Sequence, residues 1–163
     1  MSESETDHKR RLRNVIGGWS ESYEPGQGSG VGYPDLQFDL GQPHGLIPVE
    51  VKAGRLMKCG PYRILRVKTS IRASQIAWHD NFLSPSRGNV SFIFVCFGEG
   101  EEFEAWSLPL PFRCITMEWR QGWNTLECKQ IISKGKMVKD LLSLVAEAKE
   151  DLSRRDYKGA LVK

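Results

Sequence analysis

At 163 residues and 40% hydrophobic content, the chain suits one compact domain with a buried core, and its composition argues against general disorder. No apolar run approaches the ~18 residues of a bilayer span. The first ten residues are charged throughout and lack the apolar core of a signal peptide, so a bacterial or phage-infected host cytosol is the expected compartment.

In chain order, residues 2–14 read as a short polar helix with acids before bases. Residues 17–34 are rich in glycine and read as loop. Two β-type runs follow, 36–40 and 46–53, joined around Gly41-Gln42-Pro43-His44-Gly45 in a hairpin-like unit. Gly54, Gly60 and Pro61 predict a turn over 54–61, and 62–68 is a third strand. A helix is predicted from Ser70 to Leu83, with Ile71, Ile76, Trp78 and Phe82 at near-helical spacing and Pro85 and Gly88 beyond its end. Residues 90–97 are continuously apolar, as in a strand covered on both faces. Residues 101–108 alternate like an antiparallel neighbour, and 109–133 carry no clear pattern. Residues 137–152 read as an amphipathic helix with Val138, Leu141, Leu142, Val145, Ala148 and Leu152 on one face. The expected architecture is α/β, a small mixed sheet of about five strands flanked by helices. Residues 1–108 would form the core and 109–163 a C-terminal helical extension, packed on it or making a dimer contact.

The chemistry concentrates at Pro34-Asp35 and, fifteen residues on, Glu50-Val51-Lys52. If the two β-type runs pair, Asp35 and Glu50 can converge on one divalent cation. Side chains alternate along a strand, so Glu50 and Lys52 share a face while Val49 and Val51 face the core. Two carboxylates suit Mg2+ (or Mn2+), which takes oxygen ligands, and Lys52 can orient an attacking water and stabilise developing charge. Net charge is only +3, yet residues 50–90 hold eight Lys/Arg against two acids, while 1–49 and 91–119 are net acidic. Basic charge thus gathers where a polyanion would approach, and Arg55, Lys58, Arg66, Lys68 and Arg72 are the candidate DNA contacts.

This pattern resembles the PD-(D/E)xK nuclease superfamily, in particular VRR-NUC enzymes and archaeal-type Holliday-junction resolvases. The glycine-rich run 28–33 before Pro34-Asp35, the helix carrying Gln75 and the apolar strand after it extend the likeness over residues 28–97. The resemblance implies a restriction-endonuclease-like core and Mg2+-dependent cleavage of branched DNA, either by a homodimeric junction resolvase or by a flap or single-strand nuclease. It implies catalytic roles for Asp35, Glu50, Lys52 and Gln75. It implies metal ligation by Asp35, Glu50 and the Val51 carbonyl, completed by an acid of the first helix, Glu5 or failing that Asp7. A non-catalytic DNA-binding protein that keeps the fold stays open.

His79 and His44 are expected to serve surface or packing roles, and Trp19, Trp106, Trp119 and Trp123 are core candidates rather than base-stacking platforms. Cys59, Cys96, Cys114 and Cys128 form no CxxC pair and read as reduced structural thiols. The Gly28–Gly32 run lacks the Lys-Ser/Thr of a P-loop.

Overall fold

The computed structural model describes residues 5–16, 21–23, 34–84, 87–109 and 122–162, the side chains of 21–23 and 154–162 excepted. The glycine-rich run 28–33, Trp19, Trp119 and Cys114 lie outside the described residues. Helix α1 (Glu5–Ile16) buries His8, Leu12 and Ile16, a stripe repeating every four residues, and carries Glu5 and Asp7 in its first turn and Arg13 in its last. That charge order complements the helix dipole.

Strand β1 (Glu21–Tyr23) pairs antiparallel with β2 (Leu36–Asp39), which pairs antiparallel with β3 (Leu46–Ala53). Gly41 and Gly45 turn the β2–β3 hairpin at φ 69° and 70°, where an L side chain would be strained. Beyond β3 come β4 (Arg55–Cys59), β5 (Ile64–Lys68), α2 (Ala73–Phe82) and β6 (Phe92–Phe97). After a short 3-10 turn at 100–102 follow β7 (Glu104–Ser107), β8 (Trp123–Asn124), β9 (Lys129–Ser133), β10 (Lys136–Met137) and α3 (Leu141–Val162).

The main sheet has seven strands in the order β1-β2-β3-β6-β7-β9-β10, and β4-β5-β8 form a second, smaller sheet. Strands β3 and β6 run parallel, with Glu50 beside Ile93 and Lys52 beside Val95, whereas the other pairs are antiparallel. The sheet is therefore mixed, and its parallel pair lies at its centre. Side-chain alternation gives that centre two faces. One carries Val49, Val51, Phe92 and Phe94, all essentially without solvent exposure, each large side chain contributing roughly 1.5–3 kcal/mol. Leu144 and Ala148 of α3 line one small cavity with Phe92 and Ser107, which places α3 over that face. The opposite face carries Glu50, Lys52 and Ser91, and α2 reaches it through Gln75 and His79 while Glu5 of α1 reaches Lys52. No helix is long and apolar enough among the described residues to cross a membrane.

Three sequence expectations need correction. Residues 55–59 form a strand, because Gly54 and Gly60 bound it instead of breaking it. The helix expected from Met137 starts at Leu141. Lys134 and Gly135, at φ 52° and 73°, make a two-residue hairpin turn, so Lys136 and Met137 pair with Ser133 and Ile132. The Asp140 carboxylate then accepts the Ser143 N–H at 2.7 Å, a side-chain cap that sets the helix start. Its buried face accordingly holds Leu141, Leu144, Val145, Ala148 and Leu152, while Val138 and Leu142 are exposed. Third, the main sheet has seven strands rather than about five, and 109–133, which carries no clear sequence pattern, holds β8 and β9; with β10, the C-terminal third completes both sheets.

Candidate functional site

Register places the carboxylates. Leu36 faces Val49 across β2 and β3, so Asp35, just before β2, lies beside Glu50 at the open end of the hairpin. The two are bound reciprocally. The Asp35 N–H donates to Glu50 Oε2 at 3.1 Å, and the Val51 N–H donates to Asp35 Oδ2 at 3.0 Å. A strand residue's N–H and C=O face the same neighbour, so the Val51 carbonyl shares the Asp35 edge.

Glu50 is almost fully buried. Burial first, then the hydrogen bond to and the charge of Asp35, push its carboxyl from an ordinary 4.5 to about 9, against the opposing pull of Lys52. Lys52 Nζ, itself buried, stands 3.9 Å from Glu50 Oε1 and 3.9 Å from Glu5 Oε2. Glu5 also accepts the Ala53 N–H at 3.4 Å, so the first turn of α1 reaches the end of β3. Asp7 instead pairs with Arg10 at 2.9 Å.

The Gln75 carboxamide is fixed in orientation. Its Oε1 accepts the Arg72 N–H at 3.0 Å, ahead of the first turn of α2, which turns its Nε2–H2 onto Glu50 Oε1. One turn along the same face, buried His79 Nδ1 lies 2.6 Å from Ser91 Oγ. Burial drives the imidazole from 6.5 down to about 3, partly opposed by Asp35, and keeps it neutral at physiological pH. The helix thus turns a polar stripe, Gln75 and His79, toward the sheet, where Glu50 and Ser91 demand partners. Trp78 and Phe82 stack on each other with centroids 5.0 Å apart, and Trp78 meets His79 edge-on with centroids 5.2 Å apart.

Sequence reasoning missed Lys9. One turn after Glu5 on α1, its Nζ lies 3.9 Å from Asp35 Oδ1. The i, i+4 spacing of Glu5 and Lys9 was the available signal. His44 sits in the β2–β3 turn, at the opposite end of the strands from Asp35. Cys59, Cys96 and Cys128 form no disulfide among the described residues, and burial pushes the Cys96 thiol up.

Of the basic residues, Arg55, Lys58 and Arg72 are exposed and Lys68 is half-buried. Arg66 is drawn inward, donating to the Gly122 carbonyl at 3.1 Å. Among the described residues no group of three or more His, Cys, Asp or Glu side chains is placed to hold a metal ion. What meets is a carboxylate pair, Asp35 and Glu50, with Glu5 across Lys52 from it. The pair and the Val51 carbonyl offer only hard oxygen donors, and a buried acid held protonated beside a half-buried one fits a small divalent cation. A cavity of about 1010 Å³ opens between Glu5, Lys52 and the start of α2 at Arg72 and Ala73; Lys52 and Glu5 line it, and Asp35 and Glu50 do not. Comparison of the chain with protein-family models, curated proteins and solved structures found no match.

Proposed function

We propose that the protein is a divalent-metal-dependent endonuclease that hydrolyses phosphodiester bonds in branched DNA, built on a restriction-endonuclease-like core of the PD-(D/E)xK kind. One observation carries this reading: Asp35, Glu50, Lys52, Gln75 and Glu5, from four separate stretches of chain, meet at one end of the central strands, with an open cavity on the Glu5 and Lys52 side. An ordinary strand ion pair between Glu50 and Lys52 would not need a second carboxylate hydrogen-bonded across to the same strand, nor a carboxamide aimed at the first.

Asp35, Glu50 and the Val51 carbonyl would hold Mg2+, with Mn2+ as a substitute; when bound, the cation supplies charge neutralisation at the phosphate and an acidified water. The chain's own groups have separable tasks. Gln75 holds the Glu50 carboxylate in one orientation, a role for which loss typically costs 10–100-fold in metal affinity or activity. Lys52 sits where an ammonium orients the attacking water and offsets charge developing on the phosphate. Glu5 and Lys9 hold the flanks through Lys52 and Asp35. Exposed Arg72, at the entrance of α2, contacts substrate phosphate. A homodimer fits the two-fold symmetry of a four-way junction, which presents one scissile bond to each subunit.

The test is cleavage of end-labelled four-way junction, flap, single-stranded and linear duplex DNA in Mg2+ or Mn2+, beside Glu50→Ala. Paired symmetric cuts in the junction, lost in the variant, are expected. Preference for flaps or single strands would move the reading to a VRR-NUC-type activity. No metal-dependent cleavage of any of the four would sink the catalytic assignment and leave a DNA-binding protein.

A further inference from the structure

The catalytic strand continues into a projecting arm. Gly54 separates β3 from β4, and its N–H donates to the Cys96 carbonyl at 3.0 Å. A Cβ there would overlap Val95 and the Lys68 carbonyl. The return strand β5 leads into Thr69, whose hydroxyl donates to the Ala53 carbonyl at 2.8 Å, and then into Arg72 and Gln75. Both ends of the hairpin are therefore fastened to the candidate site. Its base is buried through Val67 against Trp123 of β8.

Its far end is not. Five paired residues on, Cys59 faces Ile64 across a turn held by the Arg63 N–H to Gly60 carbonyl bond at 3.1 Å. Gly60 and Arg63 are left-handed there, at φ 74° and 51°. At the tip Tyr62 is 86% exposed, with Ile64 and Leu65 partly exposed behind it. Over residues 51–79 the chain has seven Lys/Arg and no acid, so this aromatic tip stands on a wholly basic arm. A protein-facing apolar tip would not need that uniform charge; a polyanion carrying π-faces does.

We infer that the β4–β5 hairpin is a nucleic-acid-binding arm, with Tyr62 stacking on an unpaired base at a branch point while Lys58 and Arg63 hold the adjoining phosphates. The inference rests on the proposed action on DNA and adds what selects branched DNA over plain duplex. A five-residue strand reaches roughly 17 Å, which carries the tip about that far beyond Gly54.

The experiment is a fluorescence-anisotropy titration of the full chain with fluorescein-labelled forked DNA and a linear duplex of equal length. It is run in EDTA so that binding is read without cleavage, for wild type, Tyr62→Ala and Tyr62→Phe. Tyr62→Ala is expected to weaken fork binding on the order of tenfold, the scale of one base–aromatic stack, with thermal unfolding unchanged. Tyr62→Phe should keep fork affinity, and duplex affinity should change by less than about twofold, because phosphate contacts dominate there. Equal loss on both DNAs, no loss on either, or no DNA binding by wild type would overturn the inference. So would unchanged fork binding with a shift of sedimentation from dimer to monomer, which would assign the tip to a second copy of the chain. A parallel Mg2+ cleavage assay separates the two readings. Tyr62-dependent fork binding without cleavage keeps the arm and removes the hydrolytic assignment; Glu50-dependent cleavage indifferent to Tyr62 does the reverse.

Discussion

Strands β3 and β4 are nearly continuous in sequence and differ in almost every physical respect. In β3 six successive residues from Ile47 to Lys52 are buried, and its polar side chains are held by partners from α1, α2 and the residue before β2. Across Gly54, β4 has no fully buried residue and its cations face water. The first region holds charge by enclosing it, so each group there depends on its neighbours. The second holds charge by leaving it solvated, so each group acts nearly alone. Substitutions should therefore be strongly coupled in β3 and close to additive in β4.

The largest effect that would break this comparison lies at the carboxylates and the lysine. Asp35→Asn, Glu50→Gln and Lys52→Ala should each lower cleavage on the order of 10²–10³-fold or more while leaving DNA binding in place. Double variants should cost little beyond the single ones, as single-turnover kinetics would read. A loss of binding alongside cleavage would mean that these residues hold the fold rather than the chemistry. Gln75→Ala follows, at roughly 10–100-fold, with a matching rise in the Mg2+ concentration needed for half-maximal rate.

Next comes pH. Without a divalent cation, folded Glu50 keeps its proton up to about 9, whereas an ordinary carboxyl loses it near 4.5. Within that window folding takes up a proton, so Glu50's contribution to stability is complete below 4.5 and is lost as pH rises through about 9. Melting temperature in EDTA should therefore fall from about pH 6.5 to pH 9, and Glu50→Gln should flatten the slope. His79 runs the other way: depressed from 6.5 to about 3, its contribution is present above 6.5 and lost as pH falls toward 3.

Gly54→Ala tests the joint between the two regions. A methyl there meets Val95 and the Lys68 carbonyl, so a destabilisation of about 1–3 kcal/mol is expected by denaturant titration. The smallest effect belongs to the arm. Lys58→Ala should lower the slope of log affinity against log salt by about 0.9 on duplex DNA. Arg66→Ala, which loses its bond to the Gly122 carbonyl, should show more in stability than in that slope.

Much of the candidate site was legible because its spacing is local. The hairpin length puts Asp35 beside Glu50, strand alternation puts Lys52 on the Glu50 face, and one helical turn relates Arg72 to Gln75. Less was legible where partners are distant in sequence. The helix around Gln75 was read through its apolar residues, yet it buries Gln75 and His79, because the sheet beneath presents Glu50 and Ser91. Lys9 gave no apolar signal, and only the docking of α1 brings it near Asp35. Residues 55–59 looked like a turn because glycines at both ends resemble breakers until a strand partner is found.

The sequence by itself determined the β2–β3 hairpin, the pairing of its two acids, the shared face of Glu50 and Lys52, and the buried strand 92–97. All of these follow from period-two alternation and short turns, which act over a few residues. Tertiary structure alone decided that Glu5 rather than Asp7 reaches Lys52, that Gln75 holds Glu50, and that the basic segment stands out as an arm with Tyr62 at its tip. These depend on how α1, α2 and β8 dock. Docking is set by which buried polar groups and apolar faces must find partners across the whole chain, and no local pattern records it.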